Sequence, residues 1–271
     1  MPELPEILRI GNQMHQTITG KVLEEVEVHQ PKCLNMSEAE FRVILGKRVL
    51  RVEPLGKWVF VHLEGDLVLL LCLGMGGELR YREPGEELPP GAKIQARFRF
   101  TDGSGFTLSF FWFGYIHLAT AANLADHPAG QLGPSPLDDA FTLEALAKVL
   151  SSTGRNVKSV ITDQRVVAGI GNAYCHDILF LAGIHPLVPS KKLSPEQVAK
   201  LHWAMREGLT RVINHDGLRY ETDFFGATGR YDGFLVGYQE GKQCPECGTA
   251  IAKIKTGSTS TFICERCQPA P

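Results

Sequence analysis

No apolar run in this sequence approaches the roughly 18 residues that a membrane-spanning helix needs. The longest, Leu67 to Leu73, has only the length of a strand. The opening residues show no basic segment followed by an apolar one, so export is not expected. The expected location is the bacterial cytoplasm, in association with the nucleoid. Positive charge is not in excess: 28 Lys and Arg against 30 Asp and Glu leave a formal net charge of −2. That balance excludes the globally basic domain usual among nucleic-acid binders. Neither an internal repeat nor a low-complexity tract interrupts the chain. What is present, 44% hydrophobic and 21% charged residues over 271 positions, suits a soluble protein with sizeable buried cores.

The charge is unevenly placed. Between Arg42 and Lys57 stand Arg42, Lys47, Arg48, Arg51 and Lys57, opposed by Glu53 alone, and a second cluster joins Arg155, Lys158 and Arg165 against Asp163. Local patches of this kind bind phosphate even when the net charge is negative, although each also reads as solvated surface.

Apolar residues at Leu4, Ile7, Leu8 and Ile10 predict a leading helix over about residues 2–17. Short strand-like runs follow at Val22–His29, Arg48–Val52, Trp58–Leu63, Leu67–Leu73, Glu78–Arg82, Lys93–Phe100 and Phe106–Phe113, separated by turns such as Asp102-Gly103-Ser104-Gly105. Together they predict a β-sandwich or flattened barrel. A Pro- and Gly-bearing stretch, His127 to Pro136, marks a linker. Beyond it the pattern is helical: from the Thr142 cap to Leu150, over Val157–Ile161, from the turn Gly169-Ile170-Gly171-Asn172 to Ala182, and from Ser194-Pro195-Glu196-Gln197 to about Asn214. The last start combines a capping box with Pro at the first helical position. The class is therefore α+β, in three parts: 1–126, 127–233 and 234–271.

The final part holds Cys244-x-x-Cys247 and Cys264-x-x-Cys267, sixteen residues apart. Each pair presents two thiolates on one side of a turn, and two such knuckles complete a tetrahedral zinc site with no open position. One structural zinc ion is thus expected at the base of a β-hairpin, contributing on the order of 10 kcal/mol to a segment too small to fold alone. Cys33, Cys72 and Cys175 are scattered and read as small buried hydrophobes.

The hexapeptide Met1-Pro2-Glu3-Leu4-Pro5-Glu6 has two readings. Pro and Glu suit the first turn of a helix. Alternatively, with Met1 removed, Pro2 is a secondary amine whose pKa, about 8, leaves a nucleophilic fraction able to attack a sugar carbon. Glu3 then stands beside it as acid or base.

In chain order, Pro2-Glu-Leu-Pro-Glu6, Leu73-Gly-Met-Gly-Gly-Glu-Leu79, Val167-Ala-Gly-Ile-Gly-Asn-Ala-Tyr174, Ala182-Gly-Ile-His-Pro186 and the four-cysteine hairpin resemble the formamidopyrimidine-DNA glycosylase / endonuclease VIII family over essentially the whole chain. The resemblance implies a β-sandwich led by a helix, a helix–two-turn–helix domain and a zinc hairpin. It implies a DNA glycosylase with abasic-site lyase activity in base excision repair, acting as a monomer on damaged double-stranded DNA through a proline imine. By position, Pro2 is the nucleophile, Glu3 the acid/base, and Glu6 a support of the N-terminal helix. Lys57 and Asn172 hold backbone phosphates, Met75 fills the space the flipped base vacates, and Phe113 wedges into the stack.

This sequence also departs from the family pattern. Where a pair of basic residues usually precedes the wedge, it reads Phe110-Phe111-Trp112, three rings expected to be partly buried or to form a stacking surface. The arginine at the hairpin tip is Thr259, and the lysine of the lesion-covering loop falls on Thr222. Lys158 and Lys255 are the remaining cations expected near DNA, without an arginine's bidentate fork. These losses keep open a DNA-binding protein with weak or lost cleavage, or an altered range that includes single-stranded, bulged or bulky substrates.

Overall fold

Leu4, Ile7, Ile10, Met14 and Ile18 recur at three- and four-residue intervals, which on a helix places them on one face. They form α1 (Leu4–Ile18), and all five side chains are buried. Burying them contributes on the order of 10 kcal/mol before chain entropy is subtracted. Glu6 caps the start: its Oε2 accepts from the Glu3 N–H at 3.0 Å, satisfying one of the amides a helix leaves unpaired.

The computed structural model describes residues 1–271, and the chain divides into two compact units, Met1–Gln131 with His215–Tyr231, and Leu132–Asn214 with Asp232–Pro271. In the first, eight strands follow α1: β1 (Leu23–Val28), β2 (Val49–Leu55), β3 (Trp58–Leu63), β4 (Leu67–Cys72), β5 (Glu78–Arg82), β6 (Ala96–Phe100), β7 (Gly105–Ser109) and β8 (Tyr115–Thr120). They build two four-stranded antiparallel sheets, ordered β1-β6-β7-β5 and β2-β3-β4-β8. Side chains alternating inward from both sheets meet the apolar face of α1 in one core that includes Val59, Val61, Leu69, Leu71, Phe98, Phe106 and Leu108.

Two expectations change here. The run Phe106–Phe113 is not one strand: β7 ends at Ser109, Phe113 takes a left-handed φ of 58°, and the chain re-enters the other sheet as β8. Alternation alone could not separate a long strand from a strand, a sharp turn and a second strand. The segment 215–231, read with the helical part, belongs instead to the first unit, because the Phe224 side chain is wholly buried in that unit's core.

The second unit is led by α2 (Leu143–Ser151) and α3 (Val157–Ile161), followed by α4 (Cys175–Ala182) and α5 (Pro195–Ile213). Thr142 caps the first of these, its hydroxyl accepting from Ala145 N–H at 3.2 Å, and Ser194 with Gln197 forms the capping box of the last. The C-terminal hairpin pairs β9 (Ala252–Thr256) with β10 (Thr259–Ile263) around a two-residue turn in which Gly257 has a φ of 64°. A positive φ is what such a turn demands of its first residue. The buried Asp177 carboxylate accepts from three successive amides, Leu235, Val236 and Gly237, at 2.8–3.0 Å, tying α4 to the chain that enters the hairpin.

No helix is long and apolar enough to cross a membrane.

Candidate functional site

The antiparallel register of the second sheet aligns Trp58 with Cys72 and Cys72 with Tyr115 at one end of the sheet. Lys57 precedes the first of these, the Leu73–Leu79 motif follows the second, and Phe113-Gly114 precedes the third. Strand pairing therefore brings Lys57, Met75 and Phe113 to one edge of the first unit, although they are far apart in sequence.

At that unit's N-terminus Pro2 and Glu3 are buried. The Lys57 ammonium lies 3.8 Å from Glu3 Oε1, a cation and a carboxylate paired in a site from which water is largely excluded. The chain carries Met1, whose ammonium lies 3.5 Å from Glu221 Oε1. Burial raises the Glu221 carboxyl above the usual range; the ammonium opposes the rise, and the Glu6 and Glu3 carboxylates reinforce it. The sequence reading missed Glu221. It stands in a polar loop with no motif, and only folding brings it to a partner 220 residues away.

The loop that carries Glu221 is fixed by α1. Glu6 Oε1 accepts from Leu218 N–H at 3.1 Å, so this one carboxylate caps the helix and docks the loop. Arg9 Nη1 donates to the Asp216 carbonyl and its guanidinium pairs with Asp223, while Gln13 bonds both the Asp223 carboxylate and the Phe224 N–H.

The loops after β4 and before β8 are bound backbone to backbone. Met75 N–H donates to Trp112 O at 2.7 Å, and Phe111 N–H to Met75 O at 2.9 Å. The approach is so close that a Cβ on Gly74, whose φ is 58°, would lie 2.2 Å from Trp112 O. Phe110 packs partly against the core, but Phe111, Trp112 and Phe113 are 76, 67 and 66% exposed. The expectation of partial burial thus fails for Phe111 and Trp112. Strand alternation ends at Ser109, and the turn leaves these rings no sheet face to pack on. Met75, also exposed, stands beside them.

In the second unit two cations of the cluster Arg155, Lys158 and Arg165 are held by partners, while Arg165 is exposed. Arg155 Nη1 donates to Asp163 at 2.8 Å. Lys158 is only 5% exposed, and burial lowers its pKa. Its ammonium donates into a cage of oxygens, to Asn172 Oδ1 (2.9 Å) and to the hydroxyls of Thr256 (2.9 Å), Thr259 (2.9 Å) and Thr261 (2.7 Å). Lys158 thereby joins the Asn172 turn to the hairpin tip and occupies an amide oxygen, so that the Asn172 amide nitrogen is the end left to donate outward. Lys255 on β9 is exposed.

Cys244, Cys247, Cys264 and Cys267 present sulfurs that all lie within 4.8 Å of one another, and no disulfide joins any of them. Tetrahedral zinc with bonds of about 2.3 Å requires sulfurs roughly 3.8 Å apart, and Cys244–Cys267, Cys247–Cys264 and Cys247–Cys267 stand 3.8, 3.4 and 3.6 Å apart. Four thiolates of this geometry fit one structural zinc ion. Behind them Phe180, Val236, Ile251 and Phe262 form a small core.

Comparison with known proteins assigns each part. The family model for the formamidopyrimidine-DNA glycosylase N-terminal domain matches residues 1–111, that for the formamidopyrimidine-DNA glycosylase H2TH domain matches 132–223, and that for the zinc finger found in FPG and IleRS matches 241–270. The chain is 35% identical over 276 residues to a formamidopyrimidine-DNA glycosylase of Chloroflexus aggregans, covering 99% of this chain and 98% of the relative. It is 33% identical to that of Bacillus licheniformis, with 99% of each covered. Among solved structures it resembles the MutM (Fpg) protein of Thermus thermophilus, with a TM-score of 0.87, 27% identity and 98% of both chains covered. It also resembles a Lactococcus lactis FPG mutant crystallised with Fapy-dG containing DNA, with a TM-score of 0.90, 25% identity, and 99% and 100% covered.

Proposed function

Since this chain belongs to the formamidopyrimidine-DNA glycosylase family, we propose that it removes damaged bases from DNA and cleaves the resulting abasic site, with Pro2 as nucleophile. The observation that carries this reading is the buried pair Pro2-Glu3 with Lys57 poised 3.8 Å from Glu3. Those residues are a nucleophile, an acid/base and a cation in one water-poor place, which is what a reaction through a sugar cation requires.

Once Met1 is removed, the Pro2 nitrogen bonds to C1′ through its lone pair, and the damaged base leaves with the glycosidic electrons and takes up a proton. Glu3 receives the Pro2 N–H proton and returns it to O4′ as the sugar ring opens, leaving an iminium between Pro2 and C1′. That cation acidifies C2′–H; loss of this proton expels the 3′ phosphate. Lys57 holds a backbone phosphate beside this chemistry, and Met75 and Phe113 occupy the gap left by the flipped nucleotide. In the second unit Asn172 grips a phosphate, Lys158 orients it, and Lys255 adds a weaker contact. The zinc ion holds the hairpin and takes no part in the reaction. The Fapy-dG DNA held by the Lactococcus relative points to oxidised, ring-opened purines as the substrate class. The protein works as a monomer on the chromosome.

The exposed Phe111 and Trp112 favour a second element of this reading. With rings where base-reading donors usually stand, the orphaned base is met by stacking, worth about 1–3 kcal/mol per base and tolerant of sequence. Lesions opposite any base, or in bulges and single strands, then become acceptable.

The test is borohydride trapping on abasic and oxidised-base duplexes with protein whose N-terminal proline is verified by mass. A covalent protein–DNA band is expected, and Pro2→Gly should lose it. No band on any lesion overturns the enzymatic reading in favour of a DNA-binding protein that has lost cleavage.

A further inference from the structure

A proline iminium differs from the imine of a primary amine in one respect that matters here. Its nitrogen carries no N–H, so the charge formed on joining C1′ cannot be discharged by losing a proton. It persists until elimination and hydrolysis are complete. A site built for such an intermediate needs a negative charge beside the nitrogen throughout, held in position before the reaction begins.

Three carboxylates surround the N-terminus, and the structure gives them different partners. Glu6 uses its two oxygens on backbone amides, those of Glu3 and Leu218. Glu3 faces Lys57. Glu221 faces the terminal ammonium itself, at 3.5 Å, with its side chain almost entirely buried. The backbone there is pinned: Glu221 N–H donates to Leu218 O at 3.0 Å, Gly229 N–H donates to Glu221 O at 3.1 Å, and Phe224 is anchored in the core three residues on. The ammonium in this pair belongs to Met1. Removing Met1 moves the chain-end amine inward by one residue, about 3.8 Å along the Cα trace, to a proline that is itself buried.

We propose that Glu221 is the counter-ion of the nucleophile, the carboxylate that neutralises the Pro2 iminium while the sugar is covalently held. This rests on the proposed reaction and adds to it a group contributed by the loop rather than by the N-terminal motif. It also gives that loop a chemical duty besides covering the lesion: the loop must be docked on α1 before the site is electrostatically complete.

The experiment compares wild type with Glu221→Gln, which keeps the side chain's shape and removes its charge, both with Pro2 verified as the terminal residue. Trapping rates with borohydride on an abasic duplex are measured under single-turnover conditions, alongside Kd for a duplex bearing a reduced, uncleavable abasic analogue. The expected result is at least a ten-fold slower trapping for Glu221→Gln with Kd within two-fold of wild type. Trapping at the wild-type rate overturns the proposal, and so does a parallel loss of trapping and binding, which marks a merely structural residue. If Glu221→Gln does not fold, Glu221→Ser supplies the same comparison. Failure of wild type to trap refutes the reaction itself, so the two failures are distinguishable.

Discussion

Replacing Phe224 with alanine should undo the first unit in a specific way. The ring is wholly buried, with centroids 5.6 Å from Tyr81, 6.4 Å from Phe106 and 5.7 Å from Phe225. Truncating a phenylalanine in such a site removes its transfer energy and leaves a cavity, together about 3–5 kcal/mol. For a unit of this size each kcal/mol is worth roughly 2–4 °C in Tm, so a fall on the order of 10 °C is expected if the loop stays docked around the hole. A cheaper route exists, because segment 215–231 can detach as a piece. Detachment sacrifices the bonds from Glu6, Arg9 and Gln13 but closes the cavity, leaving Tm nearly unchanged and cleavage abolished. Calorimetry and trapping on an abasic duplex, run together, separate the two: either Tm falls by several degrees or trapping falls at least ten-fold. A variant with wild-type Tm and wild-type trapping refutes the claim that Phe224 anchors the loop.

Three further outcomes are expected. Lys158→Met replaces a buried ammonium by an apolar chain of similar length, and the threonine hydroxyls can bond one another; stability should change by less than about 2 kcal/mol, while affinity for abasic-analogue duplex, measured by fluorescence anisotropy, falls about ten-fold as Asn172 loses its orienting partner. Stripping zinc with a strong chelator, or Cys244→Ser, should free the hairpin, seen as new protease cleavage near residues 234–243 and loss of one zinc per chain by elemental analysis. The His176 side chain is fully buried between Tyr238 and Phe262, and burial, aided by the Lys158 charge, lowers its pKa to about 3. The folded pKa is thus depressed below the unfolded value of about 6.5, so only the unfolded chain takes up this proton between those limits. Urea stability should be flat above pH 6.5 and fall below it by about 1.4 kcal/mol per pH unit from this group, a dependence that His176→Leu removes.

How much of this was written in the sequence differs from part to part, for physical reasons. The zinc hairpin was legible because metal geometry dictates cysteine spacing. The helices of the second unit were legible because caps and apolar periodicity are local: Thr142, Ser194 and the run Val157–Ile161 each mark an end without reference to the rest of the chain. The N-terminal motif was legible as a helix start, because its prolines and Glu6 are local signals too. The strand Tyr115–Thr120 and the turn before it were not legible, because φ at Phe113 is set by the backbone it packs on, and Gly74 signals that approach only once the partner loop is known. Lys158 read as a cation facing DNA, since nothing nearby in sequence announces a cage of hydroxyls a hundred residues on. Glu221 was silent for the same reason: its meaning lies in proximity to the chain's own beginning.

The glycines under the aromatic tip have a consequence for how such a protein diverges. Gly74 lets two loops lock through main-chain atoms and Gly114 leaves room for the Phe110 ring, so the hydrogen bonds that set the path of residues 110–114 are made by backbone and not by the side chains of 111 and 112. Those two positions are exposed and contribute little to the core. Selection can therefore exchange one side chain for another there, cation for ring, with the scaffold held constant and stability hardly touched. A lineage built this way can change what those two positions present by single substitutions, keeping the fold intact throughout.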